Sequence, residues 1–236
     1  MMSHPFFSTI QKGLIVSCQA LEGEPLYGAD TMAKMSKAAE IGGAVGIRAN
    51  SVQDIEAIKR MTKLPIIGII KRDYKDSDIF ITPTMKEINE LLAVGIDIIA
   101  LDATNRTRPG GEALKDLIQY LKKQGQLVMA DISTLEEALV AEELGADCVS
   151  TTLSGYTPYS RQEPGPDFAL VKEAVGKLHI PVIAEGKIST PDEALLMLNA
   201  GAHAVVVGSA ITRPQLITER YAAKIRKGQH VHGFNG

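Results

Sequence analysis

The chain has no tryptophan, and aromatic residues make up 5% of its 236 positions. That scarcity argues against a platform for stacking sugars or nucleic-acid bases. Cysteine is nearly absent: Cys18 and Cys148 cannot build a disulfide framework or a paired zinc spacing, and they suit a reducing compartment. Charge of one sign is not in excess. Lys and Arg number 25 against 28 Asp and Glu, a net −3, so no basic footprint argues for nucleic acid. No apolar run approaches the ~18 residues that suggest a membrane span. The opening, MMSHPFFSTIQKG, lacks a charged start followed by a long apolar core, so no secretion signal is expected.

What is present is a regular alternation. Short β-branched runs occur at Gly13–Gln19, Ala44–Ala49, Pro65–Lys71, Ile96–Asp102, Gln126–Ile132, Ala146–Thr152, Pro181–Lys187 and Ala204–Ala210. Most are continuously apolar, as strands buried on both faces should be. Helical patterns separate them, at Asp30–Ile41, Ser51–Met61, Thr84–Ala93, Gly111–Lys123, Thr134–Leu144, Asp167–Lys177 and Thr190–Asn199. Thr134 with Glu137, and Thr190 with Glu193, have capping-box spacing. Several helices run out at a glycine: Gly42, Gly95, Gly145 and Gly201.

Eight strands alternating with helices, their starts about 27 residues apart, predict a (β/α)8 TIM barrel in one domain spanning 1–236. An internal repeat agrees. Ile132-Ser133-Thr134, Glu137-Ala138-Leu139 and Gly145-Ala146 recur 56 positions later at Ile188-Ser189-Thr190, Glu193-Ala194-Leu195 and Gly201-Ala202. The rival, a doubly wound open sheet, usually carries a glycine fingerprint after its first strand, and none is there. Residues 1–12 read as a lead-in closing the barrel floor, and 227–236 as a flexible tail.

Barrel chemistry sits at the C-terminal ends of the strands. Those ends supply Gln19, Arg48, Lys71, Asp102, Asp131, Thr151–Thr152, Glu185 and Gly208–Ser209. Any one of these can simply begin a solvated loop. A ring of two cations, three carboxylates and an amide is hard to explain as packing, because buried charge is costly unless paired or used. Lys71 reads either as a loop lysine paired to Asp73 or as an amine in a dry mouth beside Arg48. In the second case its pKa falls, and it serves as a proton shuttle or a Schiff-base former. Glu185 reads either as an ion-pair partner of Lys187 or as an acid, base or hydroxyl ligand. Asp131 and Asp102 read either as substrate anchors or as ion-pair partners for Lys71 and Arg48; Asp131 is favoured as a ligand contact, and Asp102 is left open.

Gly186 after strand seven, and Gly208, Ser209 and Arg213 after strand eight, look like a phosphate cradle, where barrels often hold phosphate. Among the histidines, His179 and His203 lie away from the strand ends, and His230 and His232 are expected in solvent. No metal is expected, since Lys71 and Arg48 already supply positive charge. Cys18 reads as a small core residue.

Gly13-Leu-Ile-Val-Ser-Cys-Gln19, Gly46-Ile-Arg48, Pro65-Ile-Ile-Gly-Ile-Ile-Lys71-Arg72-Asp73, Thr151-Thr-Leu-Ser-Gly-Tyr156, Ala184-Glu185-Gly186 and Val207-Gly-Ser-Ala-Ile-Thr-Arg213 closely resemble the N-acetylmannosamine-6-phosphate 2-epimerase family, from about Gly13 to about Tyr221. The resemblance implies interconversion of N-acetylmannosamine 6-phosphate and N-acetylglucosamine 6-phosphate, in the breakdown of sialic acid and mannosamine, with no metal or organic cofactor. It implies Lys71 and Glu185 as catalytic groups, and Gln19, Arg48 and Asp131 as substrate contacts. It places phosphate contacts at Gly186, Gly208, Ser209 and Arg213. A sugar phosphate as the partner, a cytoplasmic location, and neither nucleic acid nor membrane follow as expectations. A homodimer is plausible for the family, although no interface stripe stands out. The rivals are an aldolase or lyase using Lys71 as a Schiff base and a non-catalytic sugar-phosphate binding protein.

Overall fold

The computed structural model describes residues 4–231, and their side chains as far as residue 228. Eight strands form a closed barrel in chain order: β1 (Leu14–Cys18), β2 (Gly46–Asn50), β3 (Ile66–Ile69), β4 (Ile98–Asp102), β5 (Leu127–Asp131), β6 (Cys148–Ser150), β7 (Val182–Glu185) and β8 (Ala204–Val207). Every neighbouring pair is parallel, and β1 closes on β8. Seven strands fall within an apolar run read from the sequence, and β2 extends one residue beyond its run, to Asn50.

Strand side chains alternate between two dry layers. Val16, Ile47, Ile99, Val128 and Val149 point outward into the layer beneath the helices. Ile15, Ile67, Ile98, Met129, Cys148, Ile183 and Ala204 fill the lumen. Continuing the inward-facing register toward the mouth reaches Arg48, Lys71, Asp102, Asp131 and Glu185. The same two-residue period that packs the lumen therefore aims these polar side chains inward at its top.

The helices that cover the barrel are α2 (Ala29–Ile41), α3 (Val52–Met61), α4 (Met85–Val94), α5 (Leu114–Lys123), α6 (Leu135–Glu143), α7 (Phe168–Lys177) and α8 (Pro191–Asn199). The repeated segments fold alike. Thr134 and Thr190 cap α6 and α8 with reciprocal bonds to Glu137 and Glu193, whose carboxylates also accept from the amides and hydroxyls of Ser133 and Ser189. Gly68 faces outward on β3, where a Cβ would meet Ile96 Cδ1 at 2.1 Å, so the helix layer presses against bare backbone.

At the floor, α1 (Pro5–Ile10) sends Phe6, Phe7 and Ile10 into the lumen cluster. His203 Nε2 donates to the Phe7 carbonyl at 2.8 Å, which ties this plug to β8 at the end away from the mouth. Beyond β8, α9 (Ser209–Thr212) leads into α10 (Pro214–Val231). The expected flexible tail therefore begins in helix at Lys227. Its end, 232–236, lies outside the described residues, as do residues 1–3, His232 and the His230 side chain.

One departure from barrel regularity shapes the mouth. β3 and β4 pair at Ile67–Ile98 and Gly68–Ile99 and then part. Residues 80–82 enter the gap: Lys71 bridges antiparallel to Ile81, and Asp102 N donates to the Ile81 carbonyl at 3.0 Å. Arg72 and Tyr74 fasten this excursion to α4 through the buried Glu87.

Candidate active site

A cavity of about 850 Å³ opens at the C-terminal ends of the strands, and Gln19, Arg48, Lys71, Glu185, Gly208 and Arg213 are among its walls. Its polar centre is Arg48, 1% exposed. Arg48 Nη1 and Nη2 donate to Asp131 Oδ1 and Oδ2 at 3.0 and 2.5 Å, and Nη1 also donates to Glu185 Oε2 at 2.7 Å. Thr152 Oγ1 lies 2.8 Å from Asp131 Oδ1 and 3.0 Å from Glu185 Oε2, bridging the two carboxylates. Burial by itself would lower the Arg48 pKa, but the charges of Asp131 and Glu185 outweigh it and hold the guanidinium above its ordinary value. The Glu185 carboxyl is raised too, but here burial is what wins. Burial pushes its carboxyl up, and Asp131 adds to that, against the pull of Arg48, Thr152 and Lys71.

All side-chain contacts of Glu185 run to Oε2, leaving Oε1 without a hydrogen-bond partner among the described residues. Lys187 does not pair with Glu185. It donates to the Glu163 carbonyl at 2.6 Å and sits 5.6 Å from the centre of the Tyr156 ring.

Lys71 stands on the inner face just past β3. Among the described residues its ammonium has no hydrogen-bond or ion-pair partner, and Asp73 does not supply one. Burial lowers its pKa to about 8, helped by Arg48 and Arg213 and resisted by Glu185 and Asp131. An amine in this condition is a usable base near neutral pH.

Asp131, favoured as a ligand contact, sits differently, and Asp102, left open, finds its partners elsewhere. Asp131 does not touch the cavity: it is fully buried beneath Arg48, and both its oxygens are taken by Arg48 and Thr152. Asp102 is also fully buried, bound to Arg106 at 2.6 Å and to Thr104. Gln19 lines the cavity as expected. Its Nε2 donates to Ser17 Oγ at 2.8 Å, and its Oε1 is buried with no partner, an acceptor left open.

The other rim carries the glycine loops. Gly186 adopts φ +111, a conformation that favours glycine. Gly208 precedes the N-terminus of α9, and Ser209 and Ala210 line the cavity there. Arg213 reaches Ser209 Oγ at 3.3 Å and is paired to Glu24 of the β1–α2 loop, Nε to Oε1 at 3.0 Å. Glu24 carries no motif that would have marked it. The bridging role of Thr152 follows from its place two residues past Ser150 on the inward face of β6, a signal the strand-end reading contained but did not use.

Cys18 faces the outer layer, and burial pushes its thiol up to about 12, so it stays protonated. Among the described residues no group of three His, Cys, Asp or Glu side chains converges to hold a metal ion.

Comparison with known proteins places this arrangement in context. A family model described as "Putative N-acetylmannosamine-6-phosphate epimerase" matches residues 32–227. The Clostridioides difficile (strain 630) protein called "Putative N-acetylmannosamine-6-phosphate 2-epimerase" is 62% identical over 212 residues, covering 90% of this chain and 95% of that protein. The solved structure of N-acetylmannosamine-6-phosphate 2-epimerase from Clostridium perfringens is similar at a TM-score of 0.91 and 56% identity, covering 94% of this chain and 97% of that one. A thiamine phosphate pyrophosphorylase from Pyrococcus furiosus, at TM-score 0.59 and 19% identity over 86% of this chain and 88% of that one, shares the fold alone.

Proposed function

We infer the chemistry of this site from one premise: the chain belongs to the N-acetylmannosamine-6-phosphate epimerase family. It is an isomerase, a carbohydrate-phosphate 2-epimerase that interconverts N-acetylmannosamine 6-phosphate and N-acetylglucosamine 6-phosphate. The step fits sialic acid and mannosamine breakdown. The observation that carries the mechanism is an amine of lowered pKa, Lys71, sharing one mouth with the Glu185–Arg48–Asp131 cluster.

The C2 hydrogen is acidic only when C1 is an open-chain aldehyde. The site must therefore favour ring opening, take the C2 proton, hold the enolate and return a proton to the other face. Lys71 as free amine takes the proton, and the ammonium so formed stabilises the enolate oxygen. Glu185, its Oε2 held by Arg48 and Thr152, presents Oε1 to the substrate. Its raised pKa suits a carboxyl that assists ring opening and serves the face opposite Lys71. Asp131 acts through Arg48: it is a positioning residue rather than a substrate contact.

Gln19 Oε1 offers an acceptor to a substrate N–H or hydroxyl. The phosphate sits between the Gly186 loop and the Gly208–Ser209 turn, with Arg213 adding charge, and its binding energy orients C2 over Lys71. Family membership favours proton transfer over the Schiff-base and binding-only alternatives, and borohydride trapping with substrate separates the first of these.

A phosphorylated substrate fits a cytoplasmic enzyme, and no helix among the described residues is long and apolar enough to cross a membrane. A homodimer belongs to the same reading. Tyr221 and Ile225 are exposed along α10, and sedimentation of the purified chain tests it.

Proton NMR tests the activity. Either epimer, incubated with the purified protein and no added metal, should reach the same mixture from both sides. Unchanged spectra from both would overturn the reading.

A further inference from the structure

The backbone of Lys71 stands where the barrel ladder gives out. Between β2 and β3, Ile47 N donates to the Pro65 carbonyl and, further up, Ser51 N donates to the Ile69 carbonyl, both at 3.0 Å. In a parallel ladder of this register the next bond would run from Lys71 N to the Ser51 carbonyl. That carbonyl is already committed. Ser51 turns to φ +73 and caps α3, so its carbonyl accepts Ile55 N at 3.1 Å and its hydroxyl accepts Asp54 N. The other flank offers nothing to the Lys71 N–H. There Arg72 N donates to the Phe80 carbonyl and Thr82 N to the Ile70 carbonyl, and these bonds straddle Lys71 without using its amide.

The acceptor comes from a side chain. Asn50, the last residue of β2 and one inward position above Arg48, receives the Lys71 N–H on Oδ1 at 2.8 Å. This bond joins the strand that carries Arg48 to the residue that carries the base. It therefore controls how the amine stands relative to the Arg48–Glu185 cluster. The residue type fits the task. A neutral amide accepts the bond without placing a negative charge beside the amine, whereas a carboxylate would accept it and hold the amine protonated.

We propose that Asn50 is a positioning residue of the epimerase reaction, its side-chain carbonyl replacing the lost ladder bond and fixing the backbone from which Lys71 reaches C2. The proposal rests on the reading of Lys71 as the base. Small displacements of a reacting group can cost up to about 100-fold in rate.

Three variants test it, each followed by steady-state kinetics across pH and by thermal melting. Asn50→Ala and Asn50→Leu remove the acceptor. They should lose about tenfold in kcat with KM little changed. Asn50→Asp keeps an acceptor. It should retain kcat at high pH to within a few-fold, while its pH–rate limb moves to higher pH because the added charge favours the Lys71 ammonium. Should the Ala and Leu variants not fold, Asn50→Asp alone decides: a displaced limb with kcat recovered at high pH supports the proposal, and an unmoved limb overturns it. Ala and Leu variants with lowered melting temperature but wild-type kcat and pH profile would also overturn it, leaving Asn50 a purely structural residue. Lys71→Ala run in parallel separates the two readings. Near-normal turnover there removes Lys71 as the base. An inactive Lys71→Ala beside unaffected Asn50 variants removes only the present proposal.

Discussion

Replacing Lys71 by methionine should stabilise this protein while abolishing its activity. Methionine keeps most of the apolar stem and removes the ammonium. In the folded chain the Lys71 amine has a pKa of about 8, against 10.5 for the ordinary side chain, because burial and the neighbouring cations disfavour its charge. The unfolded chain therefore binds the proton more tightly than the folded one. At 1.36 kcal/mol for each tenfold in proton affinity, the folded state carries a penalty of about 3 kcal/mol at pH 7. The sign fixes the pH window. The penalty is full below pH 8, shrinks as pH rises from 8 to 10.5, and is gone above that, where both states are neutral. For a chain of this length the gain corresponds to roughly 6–12 °C in melting temperature. Calorimetry of wild type and Lys71→Met across pH 6.5–10.5 measures it. A variant whose melting temperature at pH 7 equals or falls below the wild type, or whose advantage does not narrow toward pH 10.5, would refute the reasoning.

The same lowered pKa places the acid limb of kcat/KM near pH 8, with the rate rising as pH increases through it, and a flat profile between pH 6 and 9 would contradict a lysine base. Asp131→Ala strands Arg48 in the barrel without its bidentate partner and should cost about 3–5 kcal/mol in urea denaturation, with Asp131→Asn milder. An unchanged urea midpoint in the Ala variant, accompanied by a raised KM, would return Asp131 to the substrate. Gly186→Ala places a Cβ at φ +111 and 3.5 Å from the Thr151 carbonyl, a strain of about 1–3 kcal/mol. Inorganic phosphate should compete more weakly against substrate in that variant, and undiminished competition would move the phosphate site elsewhere.

Most of this architecture was legible because parallel barrel strands are buried on both faces, which leaves runs such as Pro65–Ile70 and Ala204–Val207 too apolar for anything else. The strand-end charges were legible for a related reason: a polar side chain directly after such a run, in the inward register, has to be paired or used. What the linear pattern could not carry is depth. Asp131 and Glu185 look equivalent at their strand ends. In three dimensions one lies beneath Arg48 and the other beside it at the cavity wall, because the register sets Asp131 level with Ser150 and Ile183, one inward position below Glu185. Partners distant in sequence were equally hidden. Glu24 meets Arg213 only because β1 closes against β8. The insertion of residues 80–82 beside β3 follows from pairing across a loop with no repeat or apolar run to announce it. The Thr84–Glu87 capping box has the same spacing as those read at Thr134 and Thr190. Its second task, holding Arg72 and Tyr74 next to Lys71, depends on that loop's path.

The central claim is that an amine at the barrel mouth moves the C2 proton, and isotope exchange addresses it most directly. Either epimer is incubated with the protein in D2O for many turnovers, and C2 is read by proton NMR and mass spectrometry. The account predicts that the C2 hydrogen of both epimers is progressively replaced by deuterium, since the Lys71 protons exchange with solvent between turnovers, and that Lys71→Met does neither exchange nor epimerisation. Complete interconversion with the original C2 hydrogen retained, or undiminished exchange by Lys71→Met, would contradict it.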